Sequence, residues 1–316
     1  MHAVTIVDGA LEWREHPEPE PGTGELLVAV RAAGVCRGDL MQRDGMYPPP
    51  PGTTPVDRPG LELAGEVVAT GPGVRRFSVG DRVMAVVTGA GQSELAVVPE
   101  LVALPVPDGV SWEQAGGFPE NYTTAHDALF TQCGLAMGER LCVHGAAGGV
   151  GTAAVELSVA AGASVVATVR NEASRPGVEA LGAMVVPPDG FGDRGPFDVV
   201  LELVGGVNMP ANLRALAIGG RIAVIGVGAG LSADISLLDL MGRRGRIHGS
   251  TLRPRPLEDK AAAARRVERQ VLPLLGAGVV TVPIAATFPM AEAAKAYEHF
   301  AAGGKLGKIV LTTDGS

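Results

Sequence analysis

The chain has 316 residues, of which 46% are hydrophobic and 19% charged, a composition typical of a globular protein with room for two domains and a sizeable core. The formal net charge of −8 argues against nucleic acid as a partner, and no window is long and apolar enough to predict a membrane span. The three cysteines, Cys36, Cys133 and Cys142, have the spacing of neither a disulfide framework nor a metal site, so we expect a cytoplasmic protein.

Residues 1–112 are predicted to be all-β. Apolar and polar residues alternate in five short runs, and glycine and proline separate these runs, at 3–7, 26–31, 65–71, 81–87 and 93–98. The segment 47–52 is predicted to be a loop, because each of its prolines lacks the N–H that a helix or central strand needs. The pattern predicts a compact, barrel-like domain.

Residues 140–170 carry the most informative pattern. An apolar run at 141–144 predicts a buried strand, and residues 153–161 predict a helix that ends at Gly162. A cluster of glycines lies between them, and a second strand is predicted at 165–169. This order has the size of one βαβ unit.

The glycine cluster has a specific physical meaning in that position. Glycines allow the backbone to turn tightly and to approach a pyrophosphate, to which a helix N-terminus offers free N–H groups. The first glycine of the GxGxxG fingerprint is replaced here, because residues 146–151 read Ala-Ala-Gly-Gly-Val-Gly. The flanking strand and helix nevertheless predict a dinucleotide-binding turn; the alternative is a tight turn of an ordinary α/β protein.

Further apolar segments at 184–186, 197–204, 220–226 and 246–250 predict strands buried on both faces, as in a parallel sheet covered by helices. Ligands of such sheets bind beyond the carboxyl ends of the strands. The residues predicted to bind a cofactor at those ends are Gly145, Ala146, Ala147, Gly148, Gly149, Val150, Arg170, Gly205, Gly226 and Ser250. After them the sequence predicts helices at 257–275 and 290–302 and strands at 279–286 and 308–312, a tail expected to fold back on the first domain.

The whole chain resembles the medium-chain dehydrogenase/reductase superfamily, in its zinc-free quinone oxidoreductase branch. The order and spacing of several motifs carry the resemblance: GVCRGD at 34–39, LMQRDGMY at 40–47, GLE at 60–62, GPG at 71–73, VGDRV at 79–83, TA at 124–125, HGAAGGVG at 144–151, GGR at 219–221 and GKIV at 307–310. The resemblance implies an α/β fold in which a GroES-like β-barrel domain, residues 1–113 plus 253–316, is interrupted by a Rossmann domain with a doubly wound parallel sheet, residues 114–252. It also implies a homodimer joined through the Rossmann sheets, and it adds Thr124 and Lys308 to the residues expected to bind the cofactor.

The resemblance also bears on metal binding. Zinc alcohol dehydrogenases of this superfamily use a cysteine, the histidine of a Gly-His-Glu triplet and a third ligand. Cys36 stands at the cysteine position, but the triplet reads Gly60-Leu61-Glu62, and leucine cannot bind a metal. We therefore predict no metal and interpret Cys36 as a packed thiol. Without a metal to polarise it, the substrate must accept hydride easily, which favours a quinone or an α,β-unsaturated carbonyl.

The cofactor prediction depends on the end of the second Rossmann strand. NAD-dependent enzymes place an acidic residue there to hold the ribose 2′-hydroxyl. Here that end carries Arg170, whose guanidinium suits a 2′-phosphate, although related enzymes often have lysine where Ser174 stands. The hypothesis is therefore NADPH in preference to NADH.

Three residues are candidates for contact with the acceptor. Tyr47 and Tyr122 could each offer a hydroxyl, and for both the alternative is a packed ring. Asp39 matches a family position near the active site, and the alternative is a cap for a helix beginning at Leu40. The predicted function is an NADPH-dependent quinone oxidoreductase. The alternatives are an enoyl reductase acting on an activated C=C in a biosynthetic pathway and an NADPH-binding protein with little turnover.

Overall fold

The structure, a computed structural model, describes residues 1–313 and divides into two compact units. The first unit consists of Met1–Thr123, Leu252–Gly303 and the strand that begins at Lys308. The second consists of Thr124–Thr251 and Gly304–Gly307. The first unit therefore extends past the predicted boundary at residue 113, and a short C-terminal segment belongs to the second.

The strands in chain order are β1 (His2–Val7), β2 (Ala10–Glu15), β3 (Glu25–Val35), β4 (Glu62–Thr70), β5 (Arg82–Val86), β6 (Leu95–Pro99), β7 (Leu104–Pro105), β8 (Arg140–Val143), β9 (Ser164–Thr168), β10 (Met184–Val186), β11 (Phe197–Glu202), β12 (Leu216–Val224), β13 (Arg246–Gly249), β14 (Ile284–Pro289) and β15 (Lys308–Thr312). The α-helices are α1 (Arg37–Arg43), α2 (Trp112–Gly117), α3 (Pro119–His126), α4 (Gly149–Ala160), α5 (Arg175–Ala180), α6 (Met209–Arg214), α7 (Leu237–Arg243), α8 (Leu257–Gln270), α9 (Leu272–Gly276) and α10 (Ala293–Ala302). Short 3₁₀ segments occur at Glu172–Ser174, Gly192–Arg194, Gly206–Asn208 and Met290–Glu292, and a π-helical segment at Asp127–Gln132.

The first unit is built on one seven-stranded sheet. Its order is β14-β15-β3-β4-β5-β7, with β6 pairing to β3, and β1 and β2 form a separate antiparallel pair. The central strand β3 is eleven residues long and alternates half-buried with buried positions over most of its length, so one face supplies the hydrophobic core. The predicted β-rich fold of this part is confirmed.

Two elements of the first unit differ from the sequence prediction. Helix α1 begins at Arg37, three residues before the predicted start, because the Asp39 carboxylate accepts a hydrogen bond from the Cys36 backbone N–H and closes the first turn. Strand β14 begins at Ile284 instead of residue 279, since Val282 has φ = +51° and Pro283 follows it.

The second unit contains a six-stranded sheet in which every neighbouring pair is parallel. Its order is β10-β9-β8-β11-β12-β13, the doubly wound order expected of a Rossmann domain. The chain winds outward from β8 in one direction and then from β11 in the other, so the topological switch point lies between these two strands. The predicted parallel α/β fold is confirmed, and it fixes the strand ends where a ligand binds.

Among residues 1–313, no helix combines the length and the apolar character that crossing a bilayer requires.

Candidate active site

The turn between β8 and α4 has the shape that its glycines predict. Gly145 has φ = +66°, which glycine adopts without strain. A Cβ added to Gly151 would lie 2.6 Å from the Ala146 Cα and the Gly145 carbonyl oxygen, so the helix can approach the strand this closely only with glycine there. At Gly148, by contrast, an added Cβ would have only the Gly145 carbonyl oxygen nearby, at 3.5 Å. Gly148 therefore faces open space.

Helix α4 begins in that open space without a side-chain cap. The first backbone hydrogen bond of the helix runs from the Thr152 N–H to the Gly148 carbonyl, at 2.8 Å. Within the described part of the chain, the N–H groups of Val150 and Gly151 have no backbone acceptor, whereas the parallel bridge between Gly148 and Gly307 engages the Gly149 N–H. Two unpaired donors and the positive end of a twelve-residue helix suit the pyrophosphate of a dinucleotide.

The segment Gly304–Gly307 packs against this turn within the second unit. The Gly307 N–H donates to the Ala147 carbonyl at 2.8 Å, and the Gly304 carbonyl accepts from the Asn171 side chain at 2.8 Å and from Ser174 Oγ at 3.2 Å. Ser174, where related enzymes often have lysine, is thus buried and anchors this segment. Sequence reasoning missed this contact, because it joins residues 130 positions apart.

Arg170 follows β9 at the edge where a 2′-substituent of the adenosine ribose would lie. The side chain is exposed and forms no hydrogen bond or ion pair with another described residue. The nearby acidic residue Glu172 pairs instead with Arg175, at 3.2 Å. The position is therefore cationic and open, and its contact with a 2′-phosphate stays a prediction.

The predicted residues of the other strand ends lie along the same edge of the sheet. Gly205 has φ = +136°, and a Cβ added there would lie 2.9 Å from the Gly230 carbonyl oxygen. Gly226 follows β12 and donates its N–H to the Glu202 carbonyl, whereas Ser250 follows β13 and donates to the Val224 carbonyl at 3.3 Å. Thr124 lies in α3 and is half-buried. Contact of all four with a cofactor stays a prediction.

Lys308 has a buried protein partner. Its side chain is almost fully buried in the first unit and forms an ion pair with Glu62, whose side chain is also inaccessible. Burial opposes the charge on Lys308, but Glu62, Cys36 and Glu120 together raise the pKa of the ammonium above its ordinary value. Contact of Lys308 with a cofactor stays a prediction.

The Asp39 carboxylate accepts hydrogen bonds from backbone N–H groups. Its Oδ2 accepts from the Cys36 N–H at 2.8 Å, and its Oδ1 accepts from Gly60 and Leu61 at 3.0 and 3.1 Å. Burial raises the pKa of this carboxyl group, although the same hydrogen bonds oppose the shift. All these bonds stabilise the loop before β4 and the start of α1, which agrees with the capping alternative, and contact of Asp39 with an acceptor stays a prediction.

The two candidate tyrosines have different surroundings. Tyr122 is buried, stacks on Phe118 with ring centroids 4.5 Å apart, and accepts a hydrogen bond from the Val282 N–H at 3.3 Å. This is the packed-ring alternative. Tyr47 is half-buried, and its hydroxyl forms no hydrogen bond with a described residue. Desolvation raises the pKa of the Tyr47 phenol, so the hydroxyl stays protonated at neutral pH.

Arg253, which sequence reasoning missed, holds the Tyr47 segment. Its guanidinium is buried, lies 5.0 Å from the centre of the Tyr47 ring and donates to the Tyr47 carbonyl. It also donates to the Thr88 carbonyl at 2.6 Å and to Gln42 Oε1 at 2.5 Å. The Leu-Arg-Pro-Arg run at 252–255 gave no sign of this role, because its partners come from distant parts of the chain.

The residues around Cys36 do not fit a catalytic zinc. Leu61 is buried and occupies the place of the histidine ligand, and a Cβ added to Gly38 would lie 2.6 Å from the Leu61 Cδ1. Among residues 1–313, no three His, Cys, Asp or Glu side chains converge as metal ligands. Burial raises the pKa of the Cys36 thiol well above its ordinary value, which disfavours the thiolate that would bind zinc.

Two family models match the chain. Residues 22–133 match the alcohol dehydrogenase GroES-like domain, and residues 186–311 match the zinc-binding dehydrogenase family. The chain is 30% identical over 310 residues to the quinone oxidoreductase of Rattus norvegicus, covering 93% of this chain and 90% of that protein. The chain belongs to the medium-chain dehydrogenase/reductase superfamily. It falls in the quinone oxidoreductase branch, and it is an oxidoreductase.

Other relatives widen the range of activities. The chain is 34% identical over 298 residues to the polyketide synthase GfsB of Streptomyces halstedii, covering 92% of this chain but only 5% of that protein. Among solved structures, a mycobacterial protein complexed with NADPH is 26% identical with a TM-score of 0.86, over 99% of this chain and 100% of that chain. The cobalt- and zinc-bound alcohol dehydrogenase of Pyrobaculum aerophilum is 27% identical with a TM-score of 0.83, over 99% of both chains. The fold is thus shared by a cobalt- and zinc-bound alcohol dehydrogenase and by a protein complexed with NADPH.

Proposed function

We propose that this oxidoreductase is an NADPH-dependent quinone oxidoreductase that works without a metal. The observation that carries the proposal is the open start of α4, where two unpaired backbone N–H groups lie beside a glycine-lined space. The rat quinone oxidoreductase, which this chain matches over nearly its whole length, supports the acceptor class.

The residues that would hold NADPH are those of the strand ends. Val150 and Gly151 would donate their N–H groups to the pyrophosphate, and the exposed guanidinium of Arg170 would bind the 2′-phosphate. When bound, NADPH supplies a hydride at its nicotinamide ring. The mycobacterial neighbour complexed with NADPH supports this choice of cofactor.

The contribution of the protein to the reaction is mainly orientation and the exclusion of water. A quinone spreads the negative charge that it gains over a conjugated system, so it needs no Lewis acid, in keeping with the unsuitable metal ligands around Leu61. Tyr47 is the residue that we assign to acceptor contact, since its hydroxyl is protonated and has no partner among the described residues. It would donate a hydrogen bond to the reduced oxygen.

The test is a steady-state assay of the purified protein with NADPH and 1,4-naphthoquinone, after dialysis against a chelator. The proposal predicts turnover with NADPH, a lower rate with NADH and no loss of activity after chelation. Activity that disappears on chelation and returns with zinc would contradict the metal-free mechanism. Tight NADPH binding without turnover of any acceptor would favour a cofactor-binding role instead.

The second candidate function is reduction of an activated C=C bond. The observation that favours it is the 34% identity to a segment of a polyketide synthase, a biosynthetic enzyme by its name. Hydride transfer to a quinone and to an activated C=C bond is nearly the same chemistry, so the preferred substrate is what distinguishes the two functions. A kcat/KM for an enoyl thioester far above that for 1,4-naphthoquinone would favour the enoyl reductase.

We also propose that two copies associate through the edge of the six-stranded sheet. Strand β13 is an edge strand, and the adjacent helix α7 exposes Leu237, Leu238 and Met241 to 68%, 77% and 72%. A second copy would pair its own β13 with this edge and cover both apolar faces. Light scattering should show a dimer, and Leu238→Glu should give a monomer; a wild-type monomer at micromolar concentration would contradict the proposal.

A further inference from the structure

A buried polar network crosses the topological switch point of the second unit. It contains four side chains, each at most 3% exposed, from the ends of three strands and from helix α6: His144, Thr168, Glu202 and Asn212. His144 follows β8, Thr168 ends β9 and Glu202 ends β11. The network therefore lies directly under the edge where the cofactor turns begin.

The hydrogen bonds of the network form one chain with a defined direction. Asn212 Nδ2 donates to Glu202 Oε2 at 2.7 Å, so the Asn212 Oδ1 is left to accept. It lies 2.7 Å from His144 Nε2, which must therefore carry the proton. His144 Nδ1 then accepts from Thr168 Oγ1, at 3.1 Å. Burial lowers the pKa of His144, although Glu202 opposes this, so the neutral ring that the chain requires is favoured.

Glu202 connects this series of hydrogen bonds to the turn after β11. Its Oε1 accepts from the Val204 and Gly205 N–H groups at 2.7 and 2.8 Å. Its backbone carbonyl accepts from Ile225 and Gly226 after β12, both at 3.0 Å. Glu202 thus fixes the two turns on the far side of the switch point from β8.

The turn after β8, on the other side of the switch point, is held by the strand residue at the Thr168 end of this series of hydrogen bonds. The Thr168 carbonyl accepts from the Ala146 N–H at 3.2 Å, inside the glycine turn. The two turns also touch, since a Cβ on Gly145 would lie 3.3 Å from Val204 Cγ2. The glycine turn and the Val204–Gly205 turn are therefore held in register by a single buried network.

In a doubly wound sheet, the two mononucleotide halves of a dinucleotide lie on opposite sides of the switch point. In this sheet the adenosine half would lie over β8 and β9, and the nicotinamide half over β11 and β12. We propose that the network of His144, Thr168, Asn212 and Glu202 is a positioning device that aligns these two halves of the dinucleotide site. This inference rests on the proposed binding of NADPH at the glycine turn.

Breaking the network should weaken the binding of one ligand and not of another. A substitution that removes its hydrogen bonds should let the turns after β8 and β11 lose their register, but Arg170 should stay at the end of β9. Whole NADPH, which spans the switch point, should bind more weakly, whereas adenosine 2′,5′-bisphosphate, which occupies only the adenosine half, should not. No merely structural role separates these two ligands.

The test uses Asn212→Leu, which keeps the volume of the side chain but removes both hydrogen bonds. We expect the Kd for NADPH to rise about tenfold, since two buried polar groups lose their partners, and the Kd for adenosine 2′,5′-bisphosphate to change less than about twofold. Leu213→Ala, in the neighbouring core position, is the matched control: it destabilises the unit without touching the network, so it should leave the ratio of the two Kd values unchanged.

Thr168→Val is the second variant and decides the matter if Asn212→Leu does not fold. It removes only the hydroxyl that donates to His144 and should raise the NADPH Kd selectively, by about threefold. Nitrogen-15 NMR of the wild-type imidazole should show the proton on Nε2. A Kd ratio that stays at the wild-type value in both network variants, or a proton on Nδ1, would overturn the inference and leave the proposed function intact. A wild-type protein that binds no NADPH would overturn the proposed function itself.

Discussion

Glu62 in the first unit and Glu202 in the second are both inaccessible carboxylates at the end of a strand, and their partners differ. In the first unit Glu62 meets a full opposite charge, Lys308, and also accepts from the Glu120 N–H at 2.8 Å. In the second unit the hydrogen-bond donors to the Glu202 side chain are neutral, namely two asparagine amides and two backbone N–H groups. The ion pair joins the first residues of β4 and β15, which flank β3, whereas the neutral network leads to the cofactor turns. The first cluster therefore serves folding, and the second serves ligand geometry.

The largest effect on stability is expected from breaking the ion pair. Lys308→Met leaves Glu62 buried without a cation and should lower the free energy of unfolding by about 3–5 kcal/mol. Denaturant titration measures this, and the double variant Lys308→Met with Glu62→Leu should recover part of the loss. If Lys308→Met instead weakened NADPH binding and left stability unchanged, the original cofactor prediction for Lys308 would be right.

A substitution in the glycine turn should weaken ligand binding and leave stability nearly unchanged, the opposite of the effect of Lys308→Met. Gly148 faces open space with φ = −78°, so Gly148→Val should fold, but its side chain would fill the space proposed for the pyrophosphate. We expect the NADPH Kd to rise about 30-fold, the equivalent of about 2 kcal/mol, with little change in stability. Gly151→Ala is the comparison, because its Cβ would meet backbone atoms at 2.6 Å and should destabilise the unit. Unchanged NADPH affinity in folded Gly148→Val would remove the turn from the site.

Arg170→Glu should change cofactor preference without affecting either carboxylate cluster. Losing a charge-assisted contact and adding a like charge should weaken NADPH binding by about 10- to 100-fold, while NADH is little affected. Arg214→Glu, an exposed arginine of the same unit, is the control and should leave the NADPH/NADH ratio of kcat/KM unchanged. A ratio that is the same in Arg170→Glu and wild type would rule out Arg170 as the 2′-phosphate ligand.

Tyr47→Phe should have a smaller effect, confined to the reaction with the acceptor. Loss of one hydrogen bond to the reduced oxygen should lower kcat about three- to tenfold with NADPH affinity unchanged. Tyr122→Phe is the comparison, because the Tyr122 ring is packed and its hydroxyl accepts a backbone hydrogen bond. This variant should lower the stability of the protein and leave kcat unchanged. Equal kcat values for wild type and Tyr47→Phe would show that this hydroxyl takes no part.

The smallest effect is a dependence of stability on pH that comes from His144. Burial lowers the folded-state pKa of His144 below the unfolded value, which is about 6.5. Its stabilising contribution is therefore complete above about pH 6.5 and is lost as the pH falls toward the folded-state pKa, by about 1 kcal/mol per pH unit. Between pH 7 and 5.5, wild type should lose more unfolding free energy than His144→Asn. Identical pH slopes for the two proteins would contradict this.

The two clusters also show what a sequence can and cannot predict. The glycine turn, Arg170 and the parallel strands were predicted because their signals are local: glycine spacing, an apolar run and the residue after a strand. The network under the turn was not predicted, because hydrogen bonds between different strand ends leave no periodic pattern in the sequence. The ion pair of Lys308 with Glu62 was not predicted for the same reason, since the two residues lie far apart in the chain. Arg253 was missed because all its acceptors are distant, two of them backbone carbonyls.

The most direct test of the central claim is amide hydrogen exchange of residues 145–151 with and without NADPH. Fast exchange is expected for the Val150 and Gly151 amides in the free protein, because they have no backbone acceptor in the described structure, and strong protection of both is expected when NADPH saturates the protein. Saturation with NADPH that leaves these amides unprotected, or an absence of any NADPH binding, would contradict it.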